Sequence, residues 1–484
     1  MINPILKIPE EFINRHFNDD TDLPDYRTIF MRDRDRVMYC TAFKRLAGKT
    51  QIYTIGSDDH KKNRLTHSME VAQIARTIAL ALDLDEALTE AIALGHDFGH
   101  TPFGHAGEQM LHQIMIPKSR YVKYSPFFMR EASELSNTLV RECAQSSVII
   151  DDNNMFGFKH NIQSVRVASI LEDNYRGIHG ENIGLNLTNY TLWGMMHHST
   201  CKYNLDDPYP NFQKQFDDWL VIKNSDKEAW SFEAYIVKWA DDIAQWHHDL
   251  EDALRGDALP VKNICDTICQ VFHNKLNEEE IKALESIQAK PRINRKCIAD
   301  LSHIVINTLV NDIVETSKSN LDMVLGNVKE LFKDKADPEI SKILYSQFDN
   351  LGLDIKRENV ISLSSDIKYY QFKEMIKGPV HHSRNVERMN EKGKYIIRKL
   401  FEAYFSHPQQ LPDGCILHFM VDIGHYPSID EASEEGNGIV RTAFEKVMEN
   451  PPLLYECILM RRICDHIASM TDRYAIKEYN NLYG

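Results

Sequence analysis

Residues 67–82 read HSMEVAQIARTIALAL. Val71, Ile74, Ala75, Ile78 and Leu82 recur at steps of three and four, the spacing that puts side chains on one face of an α-helix. Thr66 before the run, with Glu70 close behind, predicts an N-cap at that point. The same period governs 86–97, where Ala87, Leu88, Ala91, Ile92 and Leu94 are apolar. Gly95, Gly99, Pro102 and Gly104 then punctuate the chain, and a helix resumes from about 103. Residues 160–175, 188–199 and 230–255 carry further helical patterns, 261–345 is helical and charged, and helical patterns return from 386. Alternating strand patterns are few and short. VISLSSDIKYYQF (360–372), inside the mixed segment 346–380, predicts at most a small β-hairpin. The fold class expected is all-α. The expected organisation is a core over 1–260 with a basic N-terminal segment, a helical insertion over 261–380, and a C-terminal helical region over 381–484 that packs on the core.

A chain of 484 residues holds two or three units or one large helical body, and its 43% apolar content is enough for a full core. The net charge of −15 argues against a mainly electrostatic nucleic-acid binder. Positive charge nonetheless gathers in 27–49, at Arg27, Arg32, Arg34, Arg36, Lys44, Arg45 and Lys49. Such a cluster either collects a polyanion or forms a solvated helix face, and charge alone favours the second. The nine cysteines are scattered and odd in number, which points to free thiols in a reducing compartment. MINPILKIPEEF has no signal-peptide pattern, and no uninterrupted apolar run approaches about 18 residues. The expected location is cytoplasmic, with no membrane span.

The chemistry concentrates in ALGHDFGHTPFGHAGE (93–108). His96 and Asp97 are adjacent at a helix end and point about 100° apart, so both reach one ion only where the chain splays. Gly95 and Gly99 make that approach sterically easy. One imidazole and one carboxylate form an incomplete site. His67 opens the preceding helix, and far downstream the apolar stretch Ile236, Val237, Trp239, Ala240 runs into Asp241 and Asp242. Adjacent carboxylates on an apolar helix are costly to bury unless neutralised or bound to a cation. His67, His96, Asp97 and Asp241 would supply two nitrogens and two carboxylates to a divalent ion such as Mn, Fe, Zn, Ni or Mg. Asp242 is the rival of Asp241.

The order H…HD…D on successive helices resembles the HD superfamily of metal-dependent phosphohydrolases, and more closely its deoxynucleoside triphosphate triphosphohydrolases, the dGTPase family. YRTIFMRDRDRVMYCTAFKRLAGKTQIY (26–53), NRLTHSMEVAQIARTIA (63–79), EAIALGHDFGHTPFGHAGE (90–108), GFKHNIQSVRV (157–167), GLNLT (184–188), WADDIAQWHHDLEDAL (239–254) and RRICDHIASMTDRYAIKEY (461–479) carry the resemblance. It makes 1–260 the HD phosphohydrolase core. It implies hydrolysis of a dNTP, dGTP foremost, to deoxynucleoside and triphosphate. Alternatives are an HD phosphohydrolase of another nucleotide (cyclic, signalling or monophosphate) and a nucleotide- or single-strand-binding regulatory protein. By the resemblance, His105 is the catalytic histidine, Glu108 is oriented towards it, and His100 contacts phosphate oxygens near the metal. The i, i+3 spacing puts His105 and Glu108 on one helix face; the other reading of Glu108 is a local cap. The resemblance also puts Gln51 at the deoxyribose, Arg64 and His160 at the phosphates, and Asp249 at the sugar or a basic side chain. The alternative for Asp249 is a surface ion pair with a residue such as Arg255. Homo-oligomers, hexamers included, and a nucleotide or single-stranded DNA effector are further implications of the resemblance.

The chain departs from the family in two places. Where the family shows DDIAYS, this sequence has DDIAQW, so Gln245 stands where a ring packs on the sugar, and rejection of ribonucleotides is in question. Where the family often shows GILKH, this sequence has GMMHHS, with His197 at the lysine's place. Lys202 is one candidate to replace that charge. HSRNVERMNEKGKYIIRKLF (382–401) resembles the family's later substrate-lining helix, with Arg384, Arg388 and Lys394 as further candidates.

Overall fold

The computed structural model describes residues 2–18, 26–51, 63–145, 156–177, 182–200, 214–255, 259–290, 293–365 and 367–484. Lys202 lies outside them. The helices that position the site are α1 (Ile29–Tyr39), α2 (Arg64–Ala81), α3 (Glu86–Gly95), α4 (Gly104–Ile114), α5 (His160–Arg166), α6 (Asn189–His197) and α7 (Phe232–Arg255). Around them stand α8 (Arg295–Leu331), α9 (Tyr369–His381), α10 (Arg384–Ser406) and α11 (Leu453–Ser469).

The cap of α2 lies three residues before the position expected for it. Asn63 is the N-cap, and its side chain accepts from the Thr66 amide at 2.9 Å. Thr66 is therefore a first-turn residue, and its hydroxyl donates back to the Asn63 carbonyl. The apolar stripe Val71, Ile74, Ala75, Ile78 is buried as the period requires. α3 is buried nearly all round, from Ala87 to Gly95, which suits an interior helix packed by α1, α2, α6 and α7. Each fully buried Leu or Ile contributes about 1.5–3 kcal/mol of transfer free energy to this centre.

Two hydrophobic cores result. One runs from Ile5 through α1–α3 and α5–α9, and the other joins α4 to α10 and α11. α8 is long and apolar enough by length and composition to cross a membrane, yet Leu301, Val305, Leu309 and Ile313 lie in the first core. The seven cysteines whose state is described are all free.

No strand forms among the described residues, which show only isolated β-bridges, so the fold is all-α. The described residues of 360–372 form no hairpin. The Ser362 amide donates to the Ser317 hydroxyl at 3.1 Å, and the Ser364 amide to Asp312 at 2.7 Å. Side chains of α8 thus take the donors that a partner strand would have taken, and α9 begins at Tyr369. The expected helix over 160–175 stops early: α5 passes into a π-helical turn at Val167–Leu171. The basic segment 27–49 is not simply a solvated face. Arg36 is buried and donates to the carbonyls of Leu185 and Asn186, each at 3.0 Å, and Lys49 is buried too.

Candidate active site

The loop between α3 and α4 is the centre of the site. Gly99 lets it press against α5: a Cβ there would lie 2.0 Å from the His160 carbonyl oxygen and 2.4 Å from the Ser164 amide. Phe103 takes φ +63° and Gly104 φ +58°, so the chain turns through the left-handed region just before α4. The turn is held from the C-terminal region. Asp472 accepts from the Phe103 amide at 3.0 Å with one oxygen and from the Thr50 amide at 3.2 Å with the other. The Lys49 ammonium donates to the carbonyls of His100 and Ala468.

His67, His96 and Asp97 converge, all buried, with their donor atoms within 4.8 Å of one another. Asp241 Oδ1 lies 2.9 Å from His67 Nε2 and 3.7 Å from His96 Nε2. Its side chain is 29% exposed, so water reaches this corner. Asp242 faces elsewhere, 4.0 Å from Lys373, and burial and Asp241 push its carboxyl up to about 6. His96 Nδ1 lies 2.6 Å from the Ala93 carbonyl, which can only accept, so the ring proton sits there. Nε2 then turns a lone pair towards Asp97 Oδ1 at 3.4 Å and Asp241 Oδ1. A lone pair facing two carboxylates is repulsive unless a cation lies between them. Burial opposes a charged His96, but where no cation neutralises them Asp97 and Asp241 override it and push the imidazole up to about 9. A proton on Nε2 then takes the place between the carboxylates that a divalent ion would take. The donor set therefore fits a divalent cation, held by two nitrogens and two carboxylates.

Arg64 donates to Asp97 Oδ2 at 2.7 Å, with both side chains buried. Its Nε has no hydrogen-bond partner among the described residues. His100 Nε2 lies 3.1 Å from Asp97 Oδ1, and its ring stacks on that of His160 at 3.9 Å. Burial, helped by Arg64 and His160, holds the His100 imidazole well below its ordinary value, so it is neutral near pH 7.

Beyond the stack stands Glu108, 0% exposed. Its Oε2 lies 2.9 Å from His160 Nδ1 and 3.2 Å from His105 Nδ1, and its Oε1 lies 2.9 Å from the Lys159 ammonium. Burial works against its charge, but His160, His105 and Lys159 keep the carboxyl well below the usual range. Glu108 is no mere local cap. His105 is the exposed member of this group, at 72% of its side chain.

Gln51, Gln245 and Asp249 form a chain at one edge. Gln51 Nε2 donates to Gln245 Oε1 at 2.7 Å, and Gln245 Nε2 to Asp249 Oδ1 at 2.8 Å. Arg255 pairs instead with Glu251 at 3.3 Å.

Sequence reasoning missed three residues here: His198, Lys159 and Lys49. His197 stacks on Trp193 with ring centroids 4.3 Å apart. Its neighbour His198 is the one that enters the centre, 4.9 Å from the His96 ring. The signal was a second histidine at the end of an otherwise apolar helix. Arg384 and Arg388 are exposed on α10, and Lys394 pairs with Glu391 at 2.9 Å.

The HD domain family matches residues 64–147, and the phosphohydrolase-associated domain matches 365–422 and 418–481. A protein of Bartonella tribocorum named deoxyguanosinetriphosphate triphosphohydrolase-like protein is 30% identical over 467 residues, covering 94% of this chain and 90% of that one. The chain belongs to the deoxyguanosinetriphosphate triphosphohydrolase-like family of HD-domain proteins. Similarly named relatives from Geobacter metallireducens and Mesorhizobium japonicum are each 29% identical, over 95% and 96% of this chain and 89% and 91% of theirs. In this dGTPase-like protein the HD match begins at Arg64, the first residue of α2, and covers the loop that carries His96, Asp97 and His100 and the helix α4 that carries His105 and Glu108. The associated-domain match includes α11 and Asp472, the residues that brace the loop. The protein is thus an HD-domain phosphohydrolase with side chains suited to a divalent metal.

Proposed function

We propose that this phosphohydrolase splits deoxynucleoside triphosphates, dGTP foremost, into deoxynucleoside and inorganic tripolyphosphate. Water adds to the α-phosphorus, the bond from that phosphorus to the 5′-oxygen breaks, and the departing oxygen takes a proton. The observation that carries this reading is the His100–His160 stack at 3.9 Å. It joins the cation-type donors to the acid–base group, so one phosphate chain can span both.

His67, His96, Asp97 and Asp241 would hold the divalent ion, Mn or Mg among the candidates. When bound it neutralises phosphate charge and makes a water more acidic. Arg64, fixed by Asp97, turns its remaining donor edge to a phosphate oxygen. His160 gives its Nδ1 proton to Glu108 and His100 its Nε2 proton to Asp97, so while neutral they line the phosphate path without adding charge. Each offers a further N–H only once the phosphate draws a second proton onto it. His105, oriented by ionised Glu108 and open to solvent, gives the proton to the 5′-oxygen. Gln51 and Asp249 hold the deoxyribose, and Gln245 between them fixes their amide and carboxylate orientations.

The test is incubation with each of the four dNTPs and GTP, with and without added Mn or Mg, followed by chromatography of the products. Tripolyphosphate with a free deoxynucleoside is the expected outcome. Absence of tripolyphosphate from every dNTP overturns the proposal. Turnover that yields only a shortened nucleotide or orthophosphate moves the protein to another class of HD phosphohydrolase.

A further inference from the structure

Glu70, His247 and His248 form a second convergence outside the residues used above. Glu70 lies one turn beyond His67 on α2, and the two histidines lie within two turns of Asp241 on α7. One donor atom of each falls within 4.8 Å of the others. Glu70 Oε2 faces His248 Nε2 at bonding distance and His247 Nε2 at 3.9 Å. Adjacent helical residues normally diverge by about 100°. Here the two rings lean together, with centroids 4.3 Å apart, and both aim at one carboxylate.

The tautomer of His247 decides what the cluster can bind. Its Nδ1 lies 2.9 Å from the Ala244 carbonyl, which accepts only, so the proton sits on Nδ1. Nε2 then presents a lone pair to the Glu70 oxygen. The Glu70 oxygen, His248 Nε2 and His247 Nε2 thus face a common point. A cation at that point is coordinated by all three, and the backbone bond at Nδ1 is the usual support of a ligating imidazole. Two imidazoles and a glutamate are a zinc-type set with one position left for water. Water has access, because the Glu70 side chain is 38% exposed while both histidines are buried.

We propose that Glu70, His247 and His248 bind a second divalent cation of the zinc type. The His248 ring lies 5.4 Å from that of His67, so the ion sits beside the first centre with a ligand set of its own. It clamps α2 to α7, the helices that bring His67 and Asp241 together. The proposal stands whether or not the substrate is a dNTP.

Metal-stripped full-length protein is dialysed against Zn2+ and its zinc content measured. Glu70→Gln and His247→Ala are each expected to hold one zinc fewer per chain than wild type, and His247→Gln repeats the loss with a side chain of similar size. Asp97→Ala, which breaks the first centre, is expected to keep the ion that His247→Ala loses, and added zinc should still raise its unfolding temperature. Circular dichroism of the metal-free proteins checks that each variant folds. Equal zinc content in wild type and the folded Glu70 and His247 variants overturns the proposal.

Discussion

Glu108 Oε2 lies 2.9 Å from His160 Nδ1, closer than its 3.2 Å approach to His105. A single buried carboxylate oxygen thus orients a buried histidine of α5 and an exposed one of its own helix. Its other oxygen takes the Lys159 ammonium at 2.9 Å. Glu108→Gln keeps the shape and removes the charge from all three. Removing one partner of a buried ion pair costs about 3 kcal/mol or more. Urea unfolding should show a loss of that order, and kcat on dGTP should fall about 100-fold or more. Wild-type kcat in a folded Glu108→Gln protein would refute the shared-orientation role.

His105→Ala isolates the proton donor. Because His105 is 72% exposed, its truncation costs little packing. Turnover should drop by about 10²–10⁴-fold, the usual contribution of a positioned acid. Metal content should stay at the wild-type level, since His67, His96, Asp97 and Asp241 are left intact. A variant that turns over normally would require another acid.

Gly99→Ala tests the seam between loop and α5. The added Cβ meets backbone at 2.0 and 2.4 Å, which no rotamer change can relieve. Either the loop or α5 must move, at about 1–3 kcal/mol. His160 and Asp97 would then separate, so activity should fall even where the protein remains folded. Thermal unfolding and kcat together check this, and a neutral substitution would mean that the contact is softer than described.

Stability against pH should carry the mark of Glu233. Burial raises its carboxyl to about 7, although the Asp85 amide, donating at 3.0 Å, favours the ionised form. The unfolded value is about 4.3. Between these values the native state binds more protons, so this contribution is full below about 4.3 and is lost as pH rises through about 7. Glu233→Gln keeps an acceptor for Asp85 and removes the titration. The variant should gain on wild type between about pH 5 and pH 8 by urea unfolding, at up to about 1.4 kcal/mol per unit of pH. Parallel pH profiles would rule this out.

Much of the helical frame was legible because its signals are local. Val71, Ile74, Ala75 and Ile78 face the core as their spacing requires. Asn63 was overlooked as the cap because Thr66 stands nearer the apolar run, and the two differ only in which side chain meets which amide. Ser362 and Ser364 sit in a strand-like pattern, but their amides bond to Ser317 and Asp312, contacts 45 and 52 residues away that no local period encodes. The composition of the site was readable from HDFGHTPFGHAGE and its distant partners. Its arrangement was not: that His198 enters while His197 turns to Trp193 depends on the rotation of α6. Lys49 looked like one of a run of surface cations, and its burial follows from packing against α11.

The bonds from Asp472 and Lys49 to the loop limit how the protein can be dissected. A fragment that ended after the HD match would keep His67, His96, His100 and His105, but it would lose His160, His198 and Asp241 along with the carboxylate under Phe103 and the carbonyl of Ala468. The final helices are therefore scaffolding for the turn rather than an appendage. A fusion tag or proteolytic nick near residue 470 would be felt at His100, and the HD segment is a poor candidate for transplantation by itself.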